Sequence, residues 1–268
     1  MHIKNVKKEK RPRKPLKALR RRRRTFNAFE LKAFMAALMV LDHLPHIPGL
    51  CSPAVEAVFH ALTRCVAAWF AYAAVESFLH TRSHLNYLAR LFVGAAAMSL
   101  GNLVLNHFGA EKGVVLNDNI FLTLGLGVLA LCAVSGFTKA SPWRKMWGLA
   151  AATAIVGLGA IFADQGLLVL PFMLITYGCR RDKQRRLTLY LLMALVLFAM
   201  AYHPYPTFGA TIQALGMESD FLFITVLPFL RMYNGKRGPR GTNSTLFFYL
   251  FYPAHLWVLQ IIALLVAR

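Results

Sequence analysis

The chain has 268 residues, of which 57% are hydrophobic and 16% are charged, and its formal net charge is +20. Soluble domains usually contain about 25% charged and 45–50% apolar residues, and the mean hydropathy here is +0.48. Together with long and frequent apolar segments, these values exclude an ordinary soluble domain. They indicate an all-α fold, a polytopic bundle of transmembrane helices.

A basic arm precedes the first apolar segment. Thirteen of the 31 Lys and Arg residues lie between Lys4 and Arg24, and the last five of them are consecutive arginines. Prolines interrupt this stretch and few apolar residues occur in it, so we predict a disordered cytoplasmic arm at 1–26 and a transmembrane domain at 27–268. A basic arm binds anionic lipid with about 1 kcal/mol per residue near the surface. Membrane lipid is therefore the predicted partner, and specific nucleic-acid binding is not expected.

Nine apolar segments are candidates for membrane spans, because about 20 apolar residues cross the hydrocarbon core. The sixth and seventh are the shortest. The nine cover residues 27–45, 54–79, 85–108, 118–137, 146–163, 165–179, 187–202, 208–230 and 245–266.

The distribution of Lys and Arg predicts which loops face the cytoplasm. If the N-terminus is cytoplasmic, the inner loops are basic, whereas the outer side carries only Lys112 and Arg268 outside the spans. These inner loops are residues 80–90, 138–145, 180–186 and 231–244. The positive-inside rule therefore favours a cytoplasmic N-terminus.

The four cysteines, Cys51, Cys65, Cys132 and Cys179, are scattered along the chain. Their spacing fits neither a metal site nor a disulfide framework. We therefore expect no metal ion.

The first predicted span carries Lys32, Asp42 and His43. Lys32 and His43 are eleven residues apart, close to three helical turns, so they share one side of the helix with a separation of about 16 Å along its axis. Asp42 points about 100° away from His43 and is expected to meet another helix. The imidazole of His43, inside a polar-lined bundle, is suited to act as a general base.

Other ionisable residues lie within or beside the predicted spans, where each costs about 2.5–3.5 kcal/mol and is expected to be paired or functional. Glu56, His60 and Arg64 recur every four residues and form one polar stripe. This stripe suits either catalysis or a structural contact between helices. The further candidates are Glu76, Asp164 and His255. Structural roles are also open for Lys32, which can extend to the interface, for Asp164 as a helix cap and for His255 as an interhelical hydrogen-bonding residue.

Residues 29–43, FELKAFMAALMVLDH, contain a lysine, ten residues and a histidine. This resembles the Lys/Arg-x10-His signature of membrane acyltransferases of the acyltransferase-3 type. Four later segments extend the likeness in the same order to TraX-like proteins: LTRCVAAWFAYAAVESFLHTR with NYLARL, NIFLTLGLGV, ADQGLLVLPFMLITYGCR, and YNGKRG followed by FYLFYPAHL. The resemblance covers Phe29 to Leu259. One difference is Ala67 and Ala68, where the family often has proline soon after the residue matching Arg64.

The resemblance implies an acyl-CoA-dependent acetyltransferase. TraX-like proteins are associated with acetylation of conjugative pilin at its N-terminus, so the implied partners are acetyl-CoA and a membrane-inserted pilin or another acceptor, with no metal. His43 would be the general base, and the implied catalytic residues beside it are Asp42, Arg64 and Glu76. The implied cofactor-binding cations are Lys32, Arg82, Arg90, Lys236 and Arg237.

Three other functions remain open at this point. A transporter or flippase could use the buried Glu, His and Arg residues as a proton relay, although the inverted repeats typical of such proteins are not visible in the sequence. A non-catalytic assembly factor could hold pilin through polar helix contacts. An enzyme of the same kind could instead acetylate a glycan hydroxyl.

Overall fold

The computed structural model describes residues 25–136, 141–239 and 242–267, which are α-helical apart from turns and one isolated β-bridge. The α-helices in these residues are α1 (Ala28–His43), α2 (Pro53–Thr63), α3 (Cys65–His80), α4 (His84–Gly109), α5 (Ile120–Ser135), α6 (Pro142–Phe162), α7 (Gly166–Gly178), α8 (Lys183–Ala201), α9 (Phe208–Met217), α10 (Val226–Met232) and α11 (Thr242–Val266). The arm up to residue 24, Lys139, Arg240 and Arg268 lie outside the described residues, so the predicted disordered arm stays a prediction.

Each of the nine predicted spans contains a helix, and two of them contain a pair. The second span is divided at Arg64 into α2 and α3, and the eighth is divided into α9 and α10. A 3-10 turn, Ser219–Thr225, lies between α9 and α10, and the chain bends there by 65°. Ala67 and Ala68, which replace the expected proline, lie inside α3 and are buried.

Five helical stretches in the described residues are long and apolar enough to cross a membrane, and six if the bent pair is one span. They are Pro53–His80, His84–Lys112, Pro142–Phe162, Lys183–Ala201 and Leu246–Val266, with Phe208–Met217 and Ser219–Met232 as the bent pair. The chain is thus an all-helical protein with several candidate membrane spans. The count of nine spans and the orientation stay predictions.

Two apolar helices, α5 and α7, are too short to cross the hydrocarbon core. At 1.5 Å per residue they extend about 24 Å and 20 Å, less than the roughly 30 Å of the core. Both are largely buried, and they pack against each other and against α3, with α6 against both and α4 against α5. Because their surroundings are protein rather than lipid, their length need not match the bilayer.

Glycines allow the closest helix contacts in this core. A Cβ at Gly127 in α5 would overlap the Met173 sulfur of α7, and a Cβ at Gly166 would overlap the Gly159 carbonyl of α6. Small residues permit backbones to approach closely where lipid provides no hydrophobic driving force between helices. The tight α6–α7 turn therefore depends on Gly166.

The two ends of the bundle differ in charge. At one end, the N–H of Thr25 donates to the Met232 carbonyl at 3.1 Å and the N–H of Ala28 donates to the Lys236 carbonyl at 2.8 Å. At the other end, Lys112 donates to the Leu264 and Ala267 carbonyls at 3.0 Å. The first end carries the cations Arg82, Arg90 and Arg237, and the second carries the carboxylates Asp118 and Asp164.

The α6–α7 contact predicts a clear difference between two glycine substitutions. Gly166→Ala should lower the free energy of unfolding by about 1–3 kcal/mol, because the new methyl group overpacks against the backbone at Gly159. Gly157→Ala in α6 is the matched control, because a Cβ there meets no atom within 4 Å. Thermal unfolding of the purified protein in detergent measures both. Equal stability of the two variants would contradict the prediction.

Candidate functional site

His43 is the last residue of α1, and a 3-10 turn from Leu44 to His46 follows it. Pro45 lies in this turn and has no backbone N–H to donate to the Leu41 carbonyl, so the α-helical hydrogen bonding of α1 cannot continue past it. The Nδ1 atom of His43 lies 2.7 Å from the Met39 carbonyl oxygen. A carbonyl oxygen only accepts hydrogen bonds, so Nδ1 carries the proton of the neutral ring and Nε2 keeps its lone pair.

A second histidine contacts His43 from the last helix. The Nε2 atom of His255 lies 3.3 Å from His43 Nδ1, and the ring centroids are 5.2 Å apart. His255 stacks on Phe251 with a centroid distance of 5.0 Å, and its Nδ1 is 2.8 Å from the Phe251 carbonyl oxygen. The sequence-predicted candidates His43 and His255 are therefore brought together.

Arg64 lies between two carboxylates. Its Nη2 donates to Asp42 Oδ1 at 2.9 Å and to Oδ2 at 3.1 Å, and its Nη1 donates to Asp220 Oδ1 at 3.1 Å. The side chains of Asp42 and Arg64 are 13% and 11% exposed, whereas that of Asp220 is 38% exposed. The expectation that Asp42 meets another helix is confirmed. Arg64 thus joins the end of α1 to the 3-10 turn before α10.

The predicted polar stripe of the second span is present in α2. His60 Nδ1 lies 3.1 Å from Asp42 Oδ1, and Glu56 Oε1 lies 3.7 Å from His60 Nε2. Thr63 also donates its hydroxyl to Asp42. His60 and Thr63 contact Asp42 directly, and Glu56 contacts His60. None of these contacts involves the His43 ring, so the stripe holds Asp42, the residue next to His43, in place.

Asp164 and Glu76 lie apart from the His43 ring. Asp164 is in the turn between α6 and α7, where its backbone oxygen accepts a hydrogen bond from Thr123 at 2.7 Å. Burial, with the nearby Asp118 carboxylate, raises the pKa of Asp164 to about 7. Glu76 is twelve residues after Arg64 and thus about 18 Å further along the helix axis of α3. It lies with the cations of the basic end, and its Oε2 is 4.0 Å from Nδ1 of His80.

A cavity of about 730 Å³ opens at the basic end, within the 300–1,000 Å³ typical of ligand sites. Four cations line it: Lys32, Arg82, Arg90 and Arg237. In the described parts of the chain, none of these four forms an ion pair with a carboxylate. Lys32 instead lies over the Phe248 ring, 5.6 Å from its centroid. Lys236, which the sequence placed with this group, does not line the cavity although its neighbour Arg237 does.

The inner wall of the cavity is formed by Met39, Phe251 and Tyr252. His43 does not line the cavity, so the polar shaft that the sequence suggested between Lys32 and His43 stops one layer short of the imidazole. The separating layer is nevertheless in direct contact with the histidines, because the Met39 and Phe251 carbonyls bind His43 and His255. Met39 lines the cavity and lies one helical turn before His43 in α1.

Three residues near the site, His46, Asp220 and Trp69, were not assigned a role from sequence. His46 has its ring 5.3 Å from that of His43 and lies 3.9 Å from Asp118. Asp220 binds Arg64, and Trp69 lines the cavity with an indole N–H that has no acceptor within the described residues. The spacing of His46, three residues after His43, is a signal that could have been used. Asp220 carries the signal of an ionisable residue inside a predicted span, whereas Trp69 carries no such local signal.

Comparison with known proteins gives one family match and one relative. A family model described as "TraX protein" matches residues 29–263. The relative is a "Probable fimbrial assembly protein FimC, serogroup H1" of Dichelobacter nodosus, 27% identical over 196 residues, which are 69% of this chain and 74% of that protein. No solved structure matches the chain.

The ion pair of Arg64 predicts coupled effects on stability. Asp42→Ala should destabilise the protein by roughly 3–5 kcal/mol, because it leaves a buried guanidinium with one partner. Adding Arg64→Ala should cost less in that background than it costs alone. Thermal unfolding in detergent gives the four values, with Glu111→Ala at an exposed turn as the control. Strict additivity of the two substitutions would argue against the coupling.

Proposed function

Because the chain belongs to the TraX family, we propose that this pilus-related membrane protein is an acetyltransferase. It would move an acetyl group from cytoplasmic acetyl-CoA to an amine or hydroxyl of a membrane-associated acceptor, with the pilin N-terminus as the family precedent. The observation that carries the proposal is a cavity lined by four cations that form no ion pair with a carboxylate of the described residues, and whose inner wall contacts the His43–His255 pair.

The basic end suits the phosphates of acetyl-CoA. Arg82, Arg90 and Arg237 present guanidinium groups, which bind phosphate in a bidentate manner, and Lys32 adds a point charge deeper in the cavity. By the positive-inside rule, this end would face the cytoplasm, where acetyl-CoA is made, with the protein in the bacterial inner membrane. Aromatic side chains such as Tyr72, Tyr233 and Phe248 cover the rest of the wall and suit the less polar arm of the same molecule.

His43 is the proposed general base. Its Nδ1–H donates to the Met39 carbonyl, so the lone pair of Nε2 is available to accept a proton from the acceptor. The acceptor nitrogen or oxygen then attacks the thioester carbon, the C–S bond breaks, and CoA leaves as a thiolate. For the thioester to approach His43 from the cavity, Met39 must move aside.

Arg64 and Asp42 act as positioning residues in this proposal. Asp42 is adjacent to His43 in sequence, and its two oxygens are occupied by Arg64, Thr63 and His60. This fixes the last turn of α1 and therefore the backbone that carries the His43 ring. Glu76 belongs with the cofactor-binding group, because it lines the same cavity as Lys32 and Arg82.

A non-catalytic assembly factor is the second candidate, and the printed name of the fimbrial relative favours it. Such a protein would bind pilin without modifying it. Mass spectrometry of pilin from cells with and without this protein distinguishes the two, because only the enzyme adds an acetyl group to its partner.

Replacement of His43 tests the catalytic role. His43→Gln should lower the rate of acetyl transfer by about 10²- to 10⁴-fold, since general-base catalysis contributes that much. His107→Gln, at an exposed position on α4, is the control and should keep the wild-type rate. Transfer of labelled acetyl from acetyl-CoA to membrane acceptors measures both. Full activity of His43→Gln with normal membrane insertion would overturn the proposal.

Two adjacent cations test the cofactor site. Arg237→Ala should raise the KM for acetyl-CoA by about tenfold or more, with a smaller change in kcat, because hydrogen bonds to charged groups contribute roughly 1.5–3 kcal/mol. Lys236→Ala is the matched control, because its side chain does not line the cavity. Steady-state kinetics with purified protein in nanodiscs gives both constants. Similar KM values for the two variants would remove Arg237 from the site.

A further inference from the structure

We propose that His255 is the proton acceptor for His43, so that the two histidines form a proton relay between α1 and α11. This inference rests on the proposed function, in which His43 removes a proton from the acceptor. It assigns a specific catalytic step to a residue of the last helix.

The hydrogen bonds fix which nitrogen of each ring carries a proton. His255 Nδ1 donates to the Phe251 carbonyl, so His255 Nε2 has a free lone pair. That lone pair lies 3.3 Å from His43 Nδ1. The Nδ1–H of His43 therefore has two acceptors, the Met39 carbonyl and His255 Nε2. Only the second of these can take the proton away.

The relay then follows without any other reactant. When the acceptor attacks the thioester, its proton moves to Nε2 of His43 and forms an imidazolium. The Nδ1 proton of that imidazolium passes to Nε2 of His255. His43 is again neutral, now with its proton on Nε2, and the positive charge resides on His255. No bond other than N–H is made or broken in this transfer, and the number of protons is conserved.

Carboxylates lie near both histidines of the relay, with Asp42 next to His43 and Asp118 on the side of His255. Asp118, before α5, interacts electrostatically with His255 and also lies 3.9 Å from His46. Arg64 lies on the α2–α3 side, where Asp42 and Asp220 pair with it. Asp164 and Asp118 both lie at the end of the bundle that carries Lys112. The transferred charge therefore stays near a carboxylate on either ring, and on His255 it lies toward Asp118.

Two substitutions separate proton transfer from positioning. His255→Gln retains a side-chain oxygen that can accept the hydrogen bond from His43 but cannot carry the proton. His255→Phe retains the aromatic stacking on Phe251 and removes both nitrogens. In both variants, kcat should fall by about 10- to 100-fold, at or below the lower end of the contribution of a general base. The KM for acetyl-CoA should stay within about twofold of the wild type, because His255 does not line the cavity. His107→Gln is again the control.

The outcomes distinguish this inference from the proposed function. If the wild type transfers acetyl and His43→Gln does not, the proposed function stands, and wild-type kcat in His255→Gln would overturn the relay. A merely structural His255 would also give full activity in His255→Gln and reduced activity in His255→Phe. With the relay, free imidazole in the buffer should partly restore the activity of His255→Ala.

A spectroscopic measurement tests the hydrogen bond even without a known acceptor. In protein with ¹⁵N-labelled histidine, the Nδ1 signal of His43 should shift in His255→Phe and stay unchanged in His107→Gln. An unchanged His43 signal in both variants would overturn the relay whether or not the protein transfers acetyl. Equal elution volumes in size-exclusion chromatography confirm that the variants are folded.

Discussion

Burial of Arg64 between two carboxylates is the interaction on which the rest of the site depends. A charged residue deep in a helical bundle costs several kcal/mol unless it is paired, and here the partners come from the end of α1 and from the turn before α10. The pairing holds three parts of the chain together at one point. Arg64 lies at the junction of α2 and α3, and its guanidinium reaches both carboxylates from there.

The contrast between paired and unpaired charges is the reason for proposing the cavity as a binding site. Arg64 has partners on both sides, whereas Lys32, Arg82, Arg90 and Arg237 surround a cavity without forming ion pairs to carboxylates in the described residues. Four cations of the same sign repel one another. An anionic ligand would relieve that repulsion, and this is the physical reason for proposing a phosphate-bearing substrate there.

The sequence predicted part of this site because helical periodicity relates residues on one helix. Lys32 and His43 face the same neighbour, α11, through Phe248 and His255. Asp42 faces another helix, as its angle of about 100° from His43 requires. Of the two adjacent cations expected at the cofactor site, Arg237 lines the cavity and Lys236 does not, because adjacent side chains in an irregular segment point in different directions. Glu76 lies far from His43, although the sequence grouped the two. Helical periodicity predicts which side of a helix a residue faces, but not where along the bundle its partners lie.

The sequence by itself determined the all-helical class, the approximate positions of the helices and the family, because hydrophobic segment length, breaks and ordered motifs are local properties. Only the tertiary structure decided that α5 and α7 are enclosed by other helices, that Asp220 pairs with Arg64 and that His255 meets His43. These contacts join residues 156 and 212 positions apart. Contacts between residues so far apart in sequence depend on how the helices pack. Helix packing depends on the shapes of whole helix surfaces, and these cannot be predicted from any single segment of the sequence.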